Sequence, residues 1–415
     1  MAENRAPEDG LASGPLRSLK VLELGHFIAG PFCTRLLGDL GADVIKAEPP
    51  GHGDPFRGWG IRAGEHTLSW ALQSCNKRCI TLNLKHAEGQ ALARRLFRWA
   101  DVVVENYRPG QLEKWGLGFE VVQEENPRCI LARISGYGQS GPYRDKPAFG
   151  AIGEAMGGLR YLSGHPPEIS DLPPVRVGVS LGDEVAALYA VNGILSAIYE
   201  RDVVGTGRGR CIDIALYEAV FSLLESAISD YSHAGRIRQP TGAALASAAP
   251  SNTYRTADGT WLVLGGNSDL IFARLARVMG RPELATNRRF RTNADRVANM
   301  TELDRIIGDW MASLPAATIG RLLEEAQVPA GRVYTIEDCA EDPHFQARGM
   351  LQPVDLPEVG QVLQPGVVPK FDSGGPAGGV RWSGPALGAH NVEVYGGILG
   401  LSDVEIGRLQ AAGVL

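Results

Sequence analysis

The chain has 415 residues, 44% of them apolar and 21% charged, with 41 basic against 47 acidic side chains and a net charge of −6. At roughly 100–200 residues per domain this length implies two or three domains with real cores, and the ordinary composition excludes a disordered or fibrous chain. The acidic balance, with no basic run, excludes nucleic acid as the main partner, because phosphate backbones select clustered Lys and Arg.

Residues 1–15 are expected to be a disordered tail, and the polar, Pro-rich start has no apolar core of a signal peptide. LKVLELGHFIAGP (19–31) reads as a buried strand entering a Gly-rich loop, TRLLGDLGA (34–42) as a helix, and DVIKAEPP (43–50) as a second strand stopped by a Pro pair. Such a β-loop-α-β unit is the building block of parallel sheets. CITLNL (79–84), DVVVENY (101–107) and PRCILARISGYG (127–138) read as further strands, and EGQALARRLFRWA (88–100) as an amphipathic helix. The expectation for 16–235 is therefore a large domain on an open, Rossmann-like α/β sheet. PVRVGVS (174–180) is strand-like and leads into a helix from Asp183, whose longest apolar run, 186–198, falls short of the roughly 20 residues a bilayer needs, so no membrane partner is expected.

The character changes near 235. SNTYRTADGTWLVLGG (251–266) reads as a hairpin turning at Asp258-Gly259, and helices are expected at 269–279, 302–313 and 316–327, giving a smaller α+β domain over 236–344. Residues 345–415, dense in Gly and Pro, are expected to return to the large domain. The six Cys, at 33, 75, 79, 129, 211 and 339, form no C-x-x-C pair; free thiols in a reducing cytoplasm, with no metal site, are expected.

Three features carry candidate chemistry. GYGQSG (136–141) fits a dinucleotide fingerprint, but Pro142 and Pro147 follow where a helix would have to open, so a Gly-rich turn is the better reading. GVSLG (178–182) fits a nucleophile elbow with Ser180; His233, His344 and His390 follow, none in a telling context. Asp183 begins a helix, where it reads either as an N-cap or as a carboxylate nucleophile kept ionised by the helix terminus.

Read together, VLELGHFIAGP, LGADVIKAEPPGHGD, NKRCITLNLK, VENYRPG, GLGFE, SGYGQSGPYRDKP, GVSLGD and GILSAIYERDVVGTGRGRCIDIALYEAV resemble the class III CoA-transferases, the CaiB/BaiF or formyl-CoA transferase-like family, from about residue 16 to the C-terminus. The resemblance implies a CoA-transferase that forms an interlocked homodimer, binds no permanent cofactor and takes a coenzyme A thioester as substrate. It puts the catalytic carboxylate on Asp183 and coenzyme contacts on His26, Phe27, Ile28, Ala29, Leu82, Lys85, Asn106, Tyr107, Arg108 and Lys114. Phosphates favour the Lys and Arg among these, and adenine favours apolar walls.

Two departures bear on substrate. Ile28 stands where formyl-CoA transferases carry Gln, and Phe149-Gly150 near their Tyr-Glu, so oxalate is not the expected acceptor. Phe149 also stands about where the racemases of this family place a catalytic His, and a phenyl ring cannot shuttle a proton. GAIGEAMGGLRYLSG (150–164), LESAISDY, APSNTYRTADG and MGRPEL look most like transferases that pair succinyl-CoA with malate, citramalate or similar diacids. Arg57, Arg62, Arg160 and Arg176 are candidate partners for a distal carboxylate, and the GGN run (265–267) is a candidate lid. The competing readings are an acyl-CoA racemase, a serine hydrolase using Ser180, and a non-catalytic CoA-binding protein.

Overall fold

The computed structural model describes residues 14–64, 66–357, 359–371 and 378–415. The chain divides into two compact units: one holds the chain up to Leu159, Val177–Ile228 and Gln346–Leu415; the other holds Arg160–Arg176 and Ser229–Phe345. The boundaries expected at 235/236 and 344/345 therefore miss an excursion. Residues 160–176 join the second unit, where the Gly242 N–H donates to the Gly164 carbonyl at 2.8 Å. Of the expected tail, 1–13 lie outside the described residues, and Gly14 is buried against the Leu40 carbonyl.

The main sheet of the first unit is built from β1 (Lys20–Glu23), β2 (Asp43–Glu48), β3 (Lys77–Thr81), β4 (Val102–Glu105), β5 (Ile130–Ser135) and β6 (Cys211–Ala215). They form one sheet in the order β3-β2-β1-β4-β5-β6, and every pairing is parallel. This is a doubly wound arrangement, with the order reversing between β1 and β4. The helices that matter for the site are α1 (Ala29–Asp39), α2 (Ala87–Trp99), α3 (Gln111–Lys114), α4 (Gly150–Met156), α5 (Leu181–Asp202) and α6 (Leu216–Phe221). Successive strand residues face opposite sides, and both sides are buried. Leu22, Ile45, Val103 and Leu131 pack with Leu92, Leu96 and Phe97 of α2. Val21, Val44, Val102 and Ile130 pack with Cys33 and Leu37 of α1 and with Ala186, Ala190 and Ile194 of α5. Burial on both faces explains the near-continuous apolar strands.

Helix α5 has 22 residues and is, by length and composition alone, apolar enough to cross a membrane. Its buried side belongs to the sheet core. No strand forms at 174–180, where Val175, Val177 and Val179 are all exposed. Strand β3 lies at one edge of the sheet, and the returning chain covers it. The Thr81 N–H donates to Asn391 Oδ1 (2.9 Å), Asn391 Nδ2 to Thr81 Oγ1 (2.7 Å), and the Tyr395 hydroxyl to the Thr81 carbonyl (2.6 Å). Such a cover removes an open edge.

The second unit holds the antiparallel strands β7 (Ser251–Arg255), β8 (Trp261–Gly265) and β9 (Ala330–Arg332), with helices α7 (Asp269–Val278), α8 (Met300–Met311) and α9 (Ala316–Glu325). Gly259 turns the first hairpin at φ +83°. Leu262 and Leu264 face a core with Phe272, Leu303, Ile307 and Ile319, whereas Trp261 and Val263 are exposed.

Candidate functional site

Open parallel sheets gather ligands outside the carboxyl ends of their strands, where the strand order reverses. A cavity of about 510 Å³ lies there, with walls from four strand ends: His26 after β1; Pro49, Pro50, His52, Gly53 and Pro55 after β2; Leu82, Asn83, Leu84 and Lys85 after β3; and Tyr107, Arg108, Gln111 and Trp115 after β4. Tyr107 meets Trp115 edge-on at 5.1 Å and His26 at 5.2 Å, so one wall is aromatic. His52, Lys85 and Arg108 are exposed and bring basic groups to it. An apolar wall with a few cations suits a ligand that carries both a ring and phosphates.

The loops are held from below. Asn106 Oδ1 accepts the His26 N–H at 2.8 Å, and its Nδ2 donates to the His26 carbonyl at 2.9 Å. Phe27 is left-handed at φ +60°, and its N–H donates to Asp54 Oδ1 at 3.0 Å. Beneath it, the fully buried Lys46 Nζ contacts Glu23 Oε1 (2.6 Å), Asp54 Oδ2 (2.8 Å) and the Gly25 carbonyl (2.9 Å). Lys77 bonds the other oxygen of Glu23 at 2.9 Å. Burial alone would raise the Asp54 carboxyl, but the Lys46 ammonium overrides it and holds the group at about 2. Burial, helped by Lys46, pushes the His26 imidazole below its ordinary value, and His26 Nδ1 has no partner among the described residues. Under the Tyr107 loop, burial pushes Glu105 up to about 7 against the pull of Arg133, which bonds Glu105 Oε1 at 2.6 Å. Glu105 Oε2 accepts the Tyr107 N–H at 2.7 Å.

Asp183 stands in the first turn of α5, half-buried. The N-cap is Ser180, whose side chain makes no capping bond; Asp183 is the third helical residue, so the N-cap reading is corrected. A helix N-terminus still favours its ionised form. The carboxylate lies over Gly150: a Cβ built on that glycine would fall 2.1 Å from Asp183 Oδ2. Phe149, just before Gly150, meets Phe27 edge-on at 6.0 Å, next to the cavity residue His26. One ring contact thus joins the segment that carries Gly150 to the loop that carries His26, and Asp183 is not itself in the cavity wall.

Of the sequence-predicted contacts, His26, Leu82, Lys85, Tyr107 and Arg108 meet in the cavity, and the others do not. Phe27 and Ile28 pack against Phe56 and Trp70, Ala29 is buried as the first residue of α1, Asn106 clamps the His26 backbone, and Lys114 is exposed and outside the lining. Arg57 is committed to Glu48 through two bonds of 2.7 Å and lies over Trp70 at 3.7 Å, which removes it as a partner for substrate. Arg62 is exposed in the first unit; Arg160 and Arg176 belong to the second. Among the described residues no hydrogen bond links Ser180 to a histidine, and His390 Nδ1 accepts the Cys79 N–H at 3.1 Å. Within GYGQSG the Gln139 N–H is bound to Asp213 at 2.9 Å, and the next helix begins only at Gly150. The GGN run is bonded on several sides, Gly266 N–H to the Pro250 carbonyl at 2.9 Å and Arg296 Nη2 to the Asn267 carbonyl at 2.6 Å. Sequence reasoning missed His52, Gln111 and Trp115 in the wall and Glu154, which accepts the Gly182 N–H beside Asp183 at 3.4 Å. The first three follow predicted strand ends closely, and that proximity was the available signal.

The family model described as CoA-transferase family III matches residues 16–391. A succinyl-CoA–D-citramalate CoA-transferase of Chloroflexus aurantiacus is 48% identical over 402 residues, 97% of this chain and 98% of its own. The β subunit of a succinyl-CoA–L-malate CoA-transferase from the same organism is 40% identical over 404 residues, again 97% of this chain and 98% of its own. A crystal structure of a CaiB/BaiF family protein from Brucella suis superposes with a TM-score of 0.78 at 33% identity, covering 93% of this chain and 100% of that one.

Proposed function

The chain belongs to CoA-transferase family III and is a CoA-transferring enzyme, and from that premise we propose that it moves CoA from succinyl-CoA to a four- or five-carbon dicarboxylate through covalent intermediates on Asp183. The observation that carries this reading is the half-buried Asp183 carboxylate in the first turn of α5, lying over Gly150, whose neighbour Phe149 meets Phe27 of the loop that carries the cavity residue His26. The relatives' names, with citramalate and malate as acceptors, support the acid class.

Coenzyme A binds in the cavity, its phosphates near Lys85 and Arg108 and its apolar parts along Tyr107 and Trp115. Asp183 attacks the donor thioester carbonyl; a C–O bond forms, the C–S bond breaks, and an aspartyl–acyl anhydride and CoA thiolate result. The thiolate attacks the Asp183 side-chain carbonyl and releases the donor carboxylate, leaving an Asp183–CoA thioester. The acceptor carboxylate attacks that thioester, giving a second anhydride and the thiolate again. The thiolate attacks the acceptor carbonyl, forming the product thioester and freeing Asp183. Each step exchanges one activated acyl bond for another, so the thioester energy is kept and no ATP is required. With Arg57 bound to Glu48, Arg62, exposed in the first unit, is the cation proposed to meet the distal carboxylate.

The enzyme acts as a homodimer in the cytoplasm. Leu188 (54% exposed) and Tyr199 (60%) on α5 support a second copy, and free cysteines suit a reducing compartment.

The test is Asp183→Asn, assayed with succinyl-CoA against a panel of acids by mass spectrometry of the CoA products. Asn removes a charge–dipole contribution of roughly 0.3–1 kcal/mol, so the fold survives, but its amide is not a nucleophile. Turnover should be lost, and hydroxylamine or borohydride should trap the wild-type adduct on Asp183. Turnover above a few percent, or an adduct on Ser180, would refute the mechanism.

A further inference from the structure

We propose that Gly150 is a positioning residue for the transfer reaction: the space left by its missing side chain is the seat of the Asp183 carboxylate. The inference rests on the reading of Asp183 as the nucleophile.

Nothing in the backbone requires glycine at this place. Gly150 is the first residue of α4 and is not among the glycines with positive φ. Glycine is a poor helix former, about 1 kcal/mol worse than alanine in a helix interior. What alanine would lack is room: its Cβ would stand 2.1 Å from Asp183 Oδ2, 2.7 Å from Cγ and 3.1 Å from the Asp183 nitrogen. Something must move, and the two helices are poorly placed to yield. A Cβ on Gly182 would stand 2.7 Å from the Gly150 carbonyl, so α4 and α5 touch backbone to backbone at this crossing. On the far side α4 is held equally close, since a Cβ on Gly153 would stand 2.8 Å from Leu216 Cβ of α6. Glu154 ties α4 to the Gly182 N–H. The soft element is the carboxylate, which turns about its own side-chain bonds.

A nucleophile must reach its carbonyl at roughly 3–3.5 Å, and a displacement of ~1 Å can cost on the order of 10²-fold in rate. Gly150 does not line the coenzyme cavity, so binding should be spared. For Gly150→Ala we expect kcat to fall about 10²-fold, KM for the acyl-CoA to stay within about twofold, and the melting temperature to hold or rise. The adduct trapped on Asp183 should fall in step with kcat. Ile152→Ala, on an exposed position of the same helix, is the control and should behave as wild type. Wild-type kcat in Gly150→Ala, or a loss confined to KM, overturns the proposal. If Gly150→Ala does not fold, the substitution is repeated on an Asp183→Ala background, where the carboxylate is gone: recovered folding supports the seat, and continued failure overturns it. Asp183→Asn separates the two ideas. Activity in that variant sinks the nucleophile and the seat together, whereas an inactive Asp183→Asn beside a fully active Gly150→Ala sinks the seat alone.

Discussion

A lysine amine sealed from water needs its charge matched, and Lys46 is matched by Glu23 and Asp54. Removing it leaves two buried carboxylates short of a partner, so Lys46→Met should cost ~3–5 kcal/mol in denaturant unfolding, much more than a surface charge. The same pair sets an acid limit. Because Asp54 is held at about 2 in the fold, its contribution is complete above its ordinary 3.8 and is lost as pH falls toward 2. Glu105 works in the opposite direction. Held at about 7, it binds its proton more tightly folded than unfolded, so its effect on stability turns unfavourable as pH rises from 4.5 to 7. Glu105→Gln should flatten that decline in a series of urea midpoints against pH; an unchanged slope would remove Glu105 as its source. None of this was legible in the sequence, because the partners stand at 23, 46, 54 and 77 and meet only when β1, β2 and β3 pair. Asp183 was singled out by family blocks, and local pattern placed it wrongly as an N-cap, three residues from the real one.

At the scale of elements, apolar runs and Gly-Pro punctuation located five of the six strands of the large sheet, within a few residues at each end. The sixth, Cys211–Ala215, was missed because its first three positions are not buried and it carries no long apolar run. The opposite error fell at 174–180, where Val175, Val177 and Val179 alternate as a strand would but meet no neighbouring strand. Alternation reports a side-chain rhythm and is silent about a partner. Loops at strand ends were legible as site material, but not which residues face the ligand and which brace the loop. Arg108 and Asn106 illustrate the difference, one in the cavity wall and the other bonded at both ends to the His26 backbone. Arg108→Gln should raise KM for acyl-CoA about tenfold, as loss of one charge-assisted hydrogen bond implies, and leave kcat nearly unchanged. A fall in kcat at constant KM would remove Arg108 from the binding role.

For the whole molecule, the sequence implied two domains and a returning C-terminal segment but not the detour of Arg160–Arg176 into the second unit. That detour is too short, and too poor in apolar residues, to announce itself. The proposed dimer belongs at this scale too. Leu188 and Tyr199, both more than half exposed, lie eleven residues apart on α5. Equilibrium sedimentation should give a dimer at assay concentration, and Leu188→Glu with Tyr199→Glu should shift it toward monomer. A wild-type monomer that is fully active would end that reading.

The cover over β3 has a consequence for how the protein is made. Thr81 waits for Asn391, 310 residues further along. At roughly 5–20 residues per second, a ribosome leaves that edge uncapped for about 15–60 s. Throughout that interval the nascent chain displays a strand ready to pair with any other. Chaperones that shield strands during elongation should therefore govern yield more than the stability of the finished enzyme does.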